Sequence, residues 1–130
     1  MVAVEVGDQQ RVHVVPGAVD LFERFLDSDL ILIEANYDEE MLNRSPRLDR
    51  GRVGSNVGHF SNAQAGKFLV RVLQESRKSP QAVVLCHLST DHNTPELARR
   101  TVREILSDHR FGDVPVHAAR REGPSRKFTV

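Results

Sequence analysis

Two apolar runs without alternation, Leu30-Ile31-Leu32-Ile33 and Ala82-Val83-Val84-Leu85-Cys86, constrain this chain more than anything else in it. A strand with one face in water alternates apolar and polar residues. One covered on both faces does not, so each run is read as a buried strand. Each is followed at once by an ionisable residue, Glu34 and His87. In open α/β sheets ligands bind beyond the C-terminal ends of the strands, which places both side chains at the edge that carries chemistry.

The remaining elements arrange themselves around these two. Val2–Val6 reads as a short strand ending at Gly7-Asp8, and Val12–Val15 as a second, stopped by Pro16-Gly17. Val19, Leu21, Phe22, Phe25 and Leu26 have helical spacing over 18–26, and 38–43 reads as a short helix. Arg44 to Asn56 is rich in Arg, Gly, Pro and Ser without a period, as a long loop would be. Ser61 is an N-cap for a helix over 62–76, with Ala65, Phe68, Leu69, Val72 and Leu73 as its apolar stripe. Thr94 caps a further helix, with Pro95 at its first position and an end near His109. Val114 to Ala118 reads as an edge strand, because Pro115 cannot donate to a ladder. Strands alternating with helices make the fold class α/β, with one domain over 1–119 and a basic tail over 120–130.

Composition excludes several function classes. The 18 basic and 18 acidic residues cancel, so no global field draws the chain to nucleic acid or membrane, and a nucleic-acid substrate needs a local basic patch. No run approaches about 18 apolar residues, so no membrane span is expected. Cys86 is the single cysteine, which rules out an intrachain disulfide and fits a reducing compartment. MVAVEVGDQQ lacks the basic segment and apolar core of a secretory leader, and a cytoplasmic protein is the expectation.

Three residues stand out as chemistry-bearing, and each has a plain structural reading beside the functional one. Glu34 could cap a turn or pair with an arginine. His87 could be a satisfied core histidine, although neutral imidazole is also the commonest metal ligand. His59 lies between Gly58 and Phe60, just before a helix N-cap, where an exposed loop histidine is also ordinary. Cys86 points to the opposite strand face from His87 and is read as core. What distinguishes the set is its order: a Glu after a strand, a Gly-His before a helix, a His after a strand.

In that order the phrases Glu34-Ala35-Asn36 with Asp38, Gly58-His59-Phe60-Ser61-Asn62-Ala63-Gln64-Ala65, and His87-Leu88-Ser89 with Asn93-Thr94-Pro95-Glu96-Leu97-Ala98 resemble the C-terminal half of metallo-β-lactamase-fold hydrolases. The likeness is to the nuclease and phosphodiesterase branches, exonuclease-like and tRNA 3′-processing-nuclease-like. It implies half of an αββα sandwich, a mixed sheet with helices on one side. It implies a metal-dependent hydrolase of phosphodiesters, with zinc or manganese as cofactor and nucleic acid among its substrates. By that resemblance His87 is a metal ligand, His59 assists protonation of the leaving oxygen, and Glu34 orients His59. Asp8, or else Glu5, stands in for the bridging aspartate.

The chain also departs from the pattern. Ser45-Pro46 stands where relatives tend to carry Tyr-Pro, and no two histidines are separated by a single residue, so the first metal motif, H-x-H-x-D-H, is missing. The expectation is therefore an incomplete C-terminal part, with little activity alone, that needs the missing N-terminal half or a partner chain. The alternative is a non-catalytic split or degenerate half-domain that binds a partner chain. A third is an unrelated small α/β domain with structural histidines.

Overall fold

The computed structural model describes residues 3–5, 11–15, 22–46, 58–120 and 128–129, with side chains from residue 22 onward. In chain order the elements are β1 (Ala3–Glu5), β2 (Arg11–Val15), α1 (Phe22–Phe25), β3 (Leu30–Glu34), α2 (Glu39–Asn43), α3 (Asn62–Glu75), β4 (Ala82–Cys86), α4 (Pro95–Asp108) and β5 (Val116–Ala118). The strands form one sheet in the order β1-β2-β3-β4-β5. β1 and β2 are antiparallel; β2, β3, β4 and β5 run parallel. The fold is α/β, and the sheet is mixed.

The two apolar runs are the central pair β3 and β4, in a register that sets Glu34 opposite Cys86. Their lack of alternation has the expected cause. Ile31, Ile33, Val83 and Leu85 face one way, into a cluster with Val116 and the apolar sides of α1, α3 and α4. Leu30, Ala82 and Val84 face the other way, with Leu32, Ala119 and Phe128 against them. The helices α1, α3 and α4 therefore share one side of the sheet. Each Leu, Ile or Val fully buried there contributes about 1.5–3 kcal/mol.

The helix starts are where side-chain caps put them. Ser61 Oγ accepts from Gln64 N at 3.1 Å while Gln64 Oε1 accepts from Ser61 N at 2.8 Å, a reciprocal capping box. Thr94 Oγ1 accepts from Leu97 N at 3.1 Å, ahead of Pro95 in the first turn. Asp38 Oδ2 caps α2 through Met41 N at 2.9 Å. α4 ends in a Schellman turn: Phe111 N donates to Leu106 O at 2.8 Å and Arg110 N to Ser107 O at 3.1 Å, with Arg110 at φ 67°.

Some expectations need correction. Phe68 packs against the core cluster as expected but is only half-buried; its ring lies edge-on to Phe22 and Phe25, with centroids 6.0 and 5.3 Å away. Val70, outside the expected stripe, is buried because α3 packs on α4 as well as on the sheet. Gly66 permits that contact, since a Cβ there would lie 2.8 Å from Ile105 Cδ1 and 3.2 Å from Ile105 Cβ. The last strand starts at Val116, not Val114; Pro115 contributes its carbonyl to Val83 N at 2.8 Å, and β5 is the sheet edge. Of the helix expected over 18–26, Phe22–Phe25 is described. Most of the loop expected over 44–56 and most of the basic tail lie outside the described residues.

Candidate active site

Past β3 the chain does not leave the sheet edge; it is stitched to two other segments. On one side Asn36 N donates to Phe60 O and Asn62 N to Tyr37 O, both at 2.8 Å. On the other, Ser89 N donates to Asn36 O and Asp38 N to His92 O, again at 2.8 Å. The three motif-bearing stretches are thus one hydrogen-bonded unit at the C-terminal edge of β3 and β4. This unit brings Glu34, His59 and His87 together.

Glu34 is 2% exposed and is the acceptor at the centre. Its Oε1 lies 3.1 Å from His59 Nδ1 and 2.9 Å from the main-chain N of Phe60. Its Oε2 lies 2.6 Å from His87 Nδ1. A carboxylate only accepts, so each ring carries its proton on Nδ1, and each Nε2 points away from Glu34 with its lone pair available. The rings meet edge to face with centroids 5.0 Å apart. Both border an open cleft of about 520 Å³, together with Asn36, Ser89, His92 and Arg120.

His87 is held in a backbone conformation that non-glycine residues seldom adopt, with φ 56°. Asn36 holds it there: Asn36 Nδ2 donates to His87 O at 2.7 Å. A layer of amides supports the site from below. Asn62 and Asn93 exchange side-chain hydrogen bonds at 2.9 and 2.8 Å, and Asn93 Nδ2 also donates to Ala35 O at 2.9 Å. All three asparagines are buried. Sequence reasoning placed them inside its motifs without giving them a task. The available signal was asparagine recurring at strand ends and helix starts, where main-chain groups need side-chain partners.

The Cys86 thiol is pushed up to about 11, first by burial and then by the charge of Glu34 across the register. Cys86 is not among the side chains whose ligand atoms converge at this edge, in keeping with its expected place on the other strand face. It is half-buried rather than fully in the core. Burial, with Glu39 nearby, likewise raises the Tyr37 hydroxyl.

Among the described residues Glu34, His59 and His87 are the one group of three His, Cys, Asp or Glu side chains close enough to hold a metal, their ligand atoms within 4.8 Å of one another. Around a tetrahedral ion with bonds of about 2.0–2.1 Å, neighbouring ligand atoms stand roughly 3.3 Å apart. The 2.6 Å and 3.1 Å contacts of Glu34 are hydrogen bonds instead. The arrangement fits a metal with Glu34 standing behind the rings, the carboxylate–histidine pairing that fixes the tautomer of a ligating imidazole. It supplies two imidazole donors. Asp8 lies outside the described residues, as does the side chain of Glu5.

No protein-family model matches the chain. Over 87 residues, 65% of the chain, it is 36% identical to a Bacillus anthracis protein named exodeoxyribonuclease YycJ. Over 89 residues, 66% of the chain, it is 35% identical to a Streptococcus pneumoniae protein named exodeoxyribonuclease WalJ. The matched stretch covers 32% of each relative's own length, so the chain corresponds to a portion of them. No helix of the described residues is long and apolar enough to cross a membrane.

Proposed function

We propose that this chain is the C-terminal part of a metal-dependent hydrolase of the metallo-β-lactamase superfamily, acting on the phosphodiester bonds of nucleic acid. The observation that carries the reading is one buried carboxylate gripping two imidazoles, from separate motifs, at the mouth of a cleft. The similarity to proteins named exodeoxyribonucleases supports DNA as the substrate class. A zinc or manganese ion, held in part by His87 Nε2, would polarise the phosphate and activate water when bound.

The chain's own residues have separable tasks. Glu34 fixes both rings in the Nδ1–H tautomer. His59 stands beside His87 at the cleft; once its Nε2 takes up a proton from water, the imidazolium, held through Nδ1–H by the Glu34 carboxylate, hands that Nε2 proton to the departing oxygen and returns to the Nδ1–H tautomer. Catalytic zinc sites use three protein ligands, so a first half or partner chain carrying H-x-H-x-D-H would complete the set, together with Asp8 or Glu5. That count also favours a second reading, in which the chain is a non-catalytic half-domain that docks on a partner chain. A single cysteine, Cys86, suits a reducing compartment such as the cytoplasm.

The decisive experiment supplies a first half carrying H-x-H-x-D-H, in trans or by fusion. The expected result is stoichiometric zinc or manganese by elemental analysis and degradation of linear DNA, both lost in His87→Ala. The 130-residue chain alone should do neither. A complemented protein that binds metal-free and leaves DNA intact would favour the half-domain reading.

A further inference from the structure

We propose that His92 is a positioning residue for the phosphodiester, donating its Nε2–H to a non-bridging oxygen in the cleft; this rests on the hydrolase reading above. The ring is 5% exposed, yet it lines the same cleft as His59 and His87. Its Nδ1 faces Ser89 Oγ at 3.5 Å. That hydroxyl already accepts the main-chain N–H groups of Asp91 at 3.2 Å and of His92 at 3.1 Å. With both lone pairs taken, its own hydrogen is left to point at Nδ1. The neutral His92 ring then carries its proton on Nε2.

This is the opposite tautomer from the one Glu34 imposes on His59 and His87. Those two rings offer lone pairs to the cleft and cannot hydrogen-bond a phosphate oxygen unless protonated. His92 offers an N–H. No described residue accepts it, and buried donors are seldom left without an acceptor. The main chain that carries the ring is held: His92 O is bound by Asp38 N at 2.8 Å, and the next residue, Asn93, is pinned to Asn62 and Ala35. Arg120 lines the cleft and adds positive charge, while Asp91, also lining it, opposes that charge.

The test is imidazole nitrogen NMR of the 130-residue chain, titrated with dimethyl phosphate as the minimal phosphodiester. The expected result is His92 as the Nε2–H tautomer, with that nitrogen shifting on titration. His92→Phe should weaken dimethyl phosphate binding about tenfold, the worth of one hydrogen bond to a charged group, and His92→Gln, which keeps a donor at that reach, should stay within about threefold. His92 found as the Nδ1–H tautomer, or unmoved while His59 and His87 shift, overturns the proposal and leaves the hydrolase reading standing. Shifts at His92 alone support the proposal, since the neutral rings of His59 and His87 present lone pairs to the anion. If no histidine responds, the His92 proposal falls, and the hydrolase reading is left to the complementation experiment. Should His92→Phe not fold, the tautomer and the His92→Gln titration still decide.

Discussion

Asn36 Nδ2 donates to the main-chain carbonyl of His87 at 2.7 Å, and His87 holds φ 56°. A short amide on one strand end thus fixes a left-handed residue on the next, and with it the direction in which the imidazole leaves the sheet. Left-handed backbone costs a non-glycine residue about 1–2 kcal/mol. We therefore expect His87→Gly to be more stable than His87→Ala by about 1 kcal/mol, although Gly normally loses more entropy on folding. Urea unfolding of the two variants checks this. Equal stabilities, or Ala the more stable, would mean that the backbone at 87 is relaxed.

Glu34 satisfies three donors with two oxygens, and Gln has one oxygen. In Glu34→Gln the amide nitrogen must face an N–H it cannot accept, so the loss should be about 1–3 kcal/mol. The ring that meets the amide nitrogen should turn its Nδ1 into an acceptor and move its proton to Nε2. Imidazole nitrogen spectra would show one histidine of the pair switching tautomer. Two rings still in the Nδ1–H form would mean that Glu34 does not set their protonation.

Gly66 gives a prediction whose sign separates two effects. In a solvent-facing helix interior, Gly→Ala stabilises by about 0.5–1 kcal/mol. Here the added Cβ would lie 2.8 Å from Ile105 Cδ1 and 3.2 Å from its Cβ, so rotating the side chain cannot clear both. Gly66→Ala should instead cost about 1–3 kcal/mol, and Ile105→Val, which removes Cδ1, should recover part of that loss. Stabilisation by Gly66→Ala would show that α3 and α4 are not in tight contact.

What the sequence made legible follows the length of the interactions. β3 and β4 could be read because burial on both faces leaves an unbroken apolar run, and the helix starts because Ser61 and Thr94 act within three residues of themselves. Convergence of Glu34, His59 and His87 at one edge was readable from where each sits relative to its element. That Glu34 holds both rings was not, since it depends on pairing between 34–38 and two loops distant in sequence. The Asn62–Asn93 pair was hidden for the same reason: 31 residues separate them, and nothing local marks either as buried. Phe68 looked like core because helical spacing reports a face and not how deep that face sits.

Arg110 occupies the left-handed position after α4 at φ 67°, where glycine carries no Cβ penalty. Its side chain is exposed, so little packing is lost on removal. Arg110→Gly should raise stability by about 0.5–1 kcal/mol, and Arg110→Ala should not. Thermal unfolding of both variants tests whether the gain comes from the backbone or from removing a charge.

Cys86 predicts how stability falls at alkaline pH. Its thiol is raised from 9.0 to about 11 in the fold, by burial first and the Glu34 charge second. The fold therefore prefers the neutral thiol. Below pH 9.0 the contribution is fully present, because folded and unfolded chains are both protonated. Between 9.0 and about 11 the unfolded chain ionises and the folded chain does not, so stability is lost as pH rises through that window. Tyr37, raised in the same direction, adds to the decline. Urea midpoints of wild type and Cys86→Ala across this range should converge or cross as pH rises, with the wild type falling more steeply. Parallel curves would mean that the thiol titrates as freely in the fold as in the unfolded chain, and that neither burial nor Glu34 acts on it.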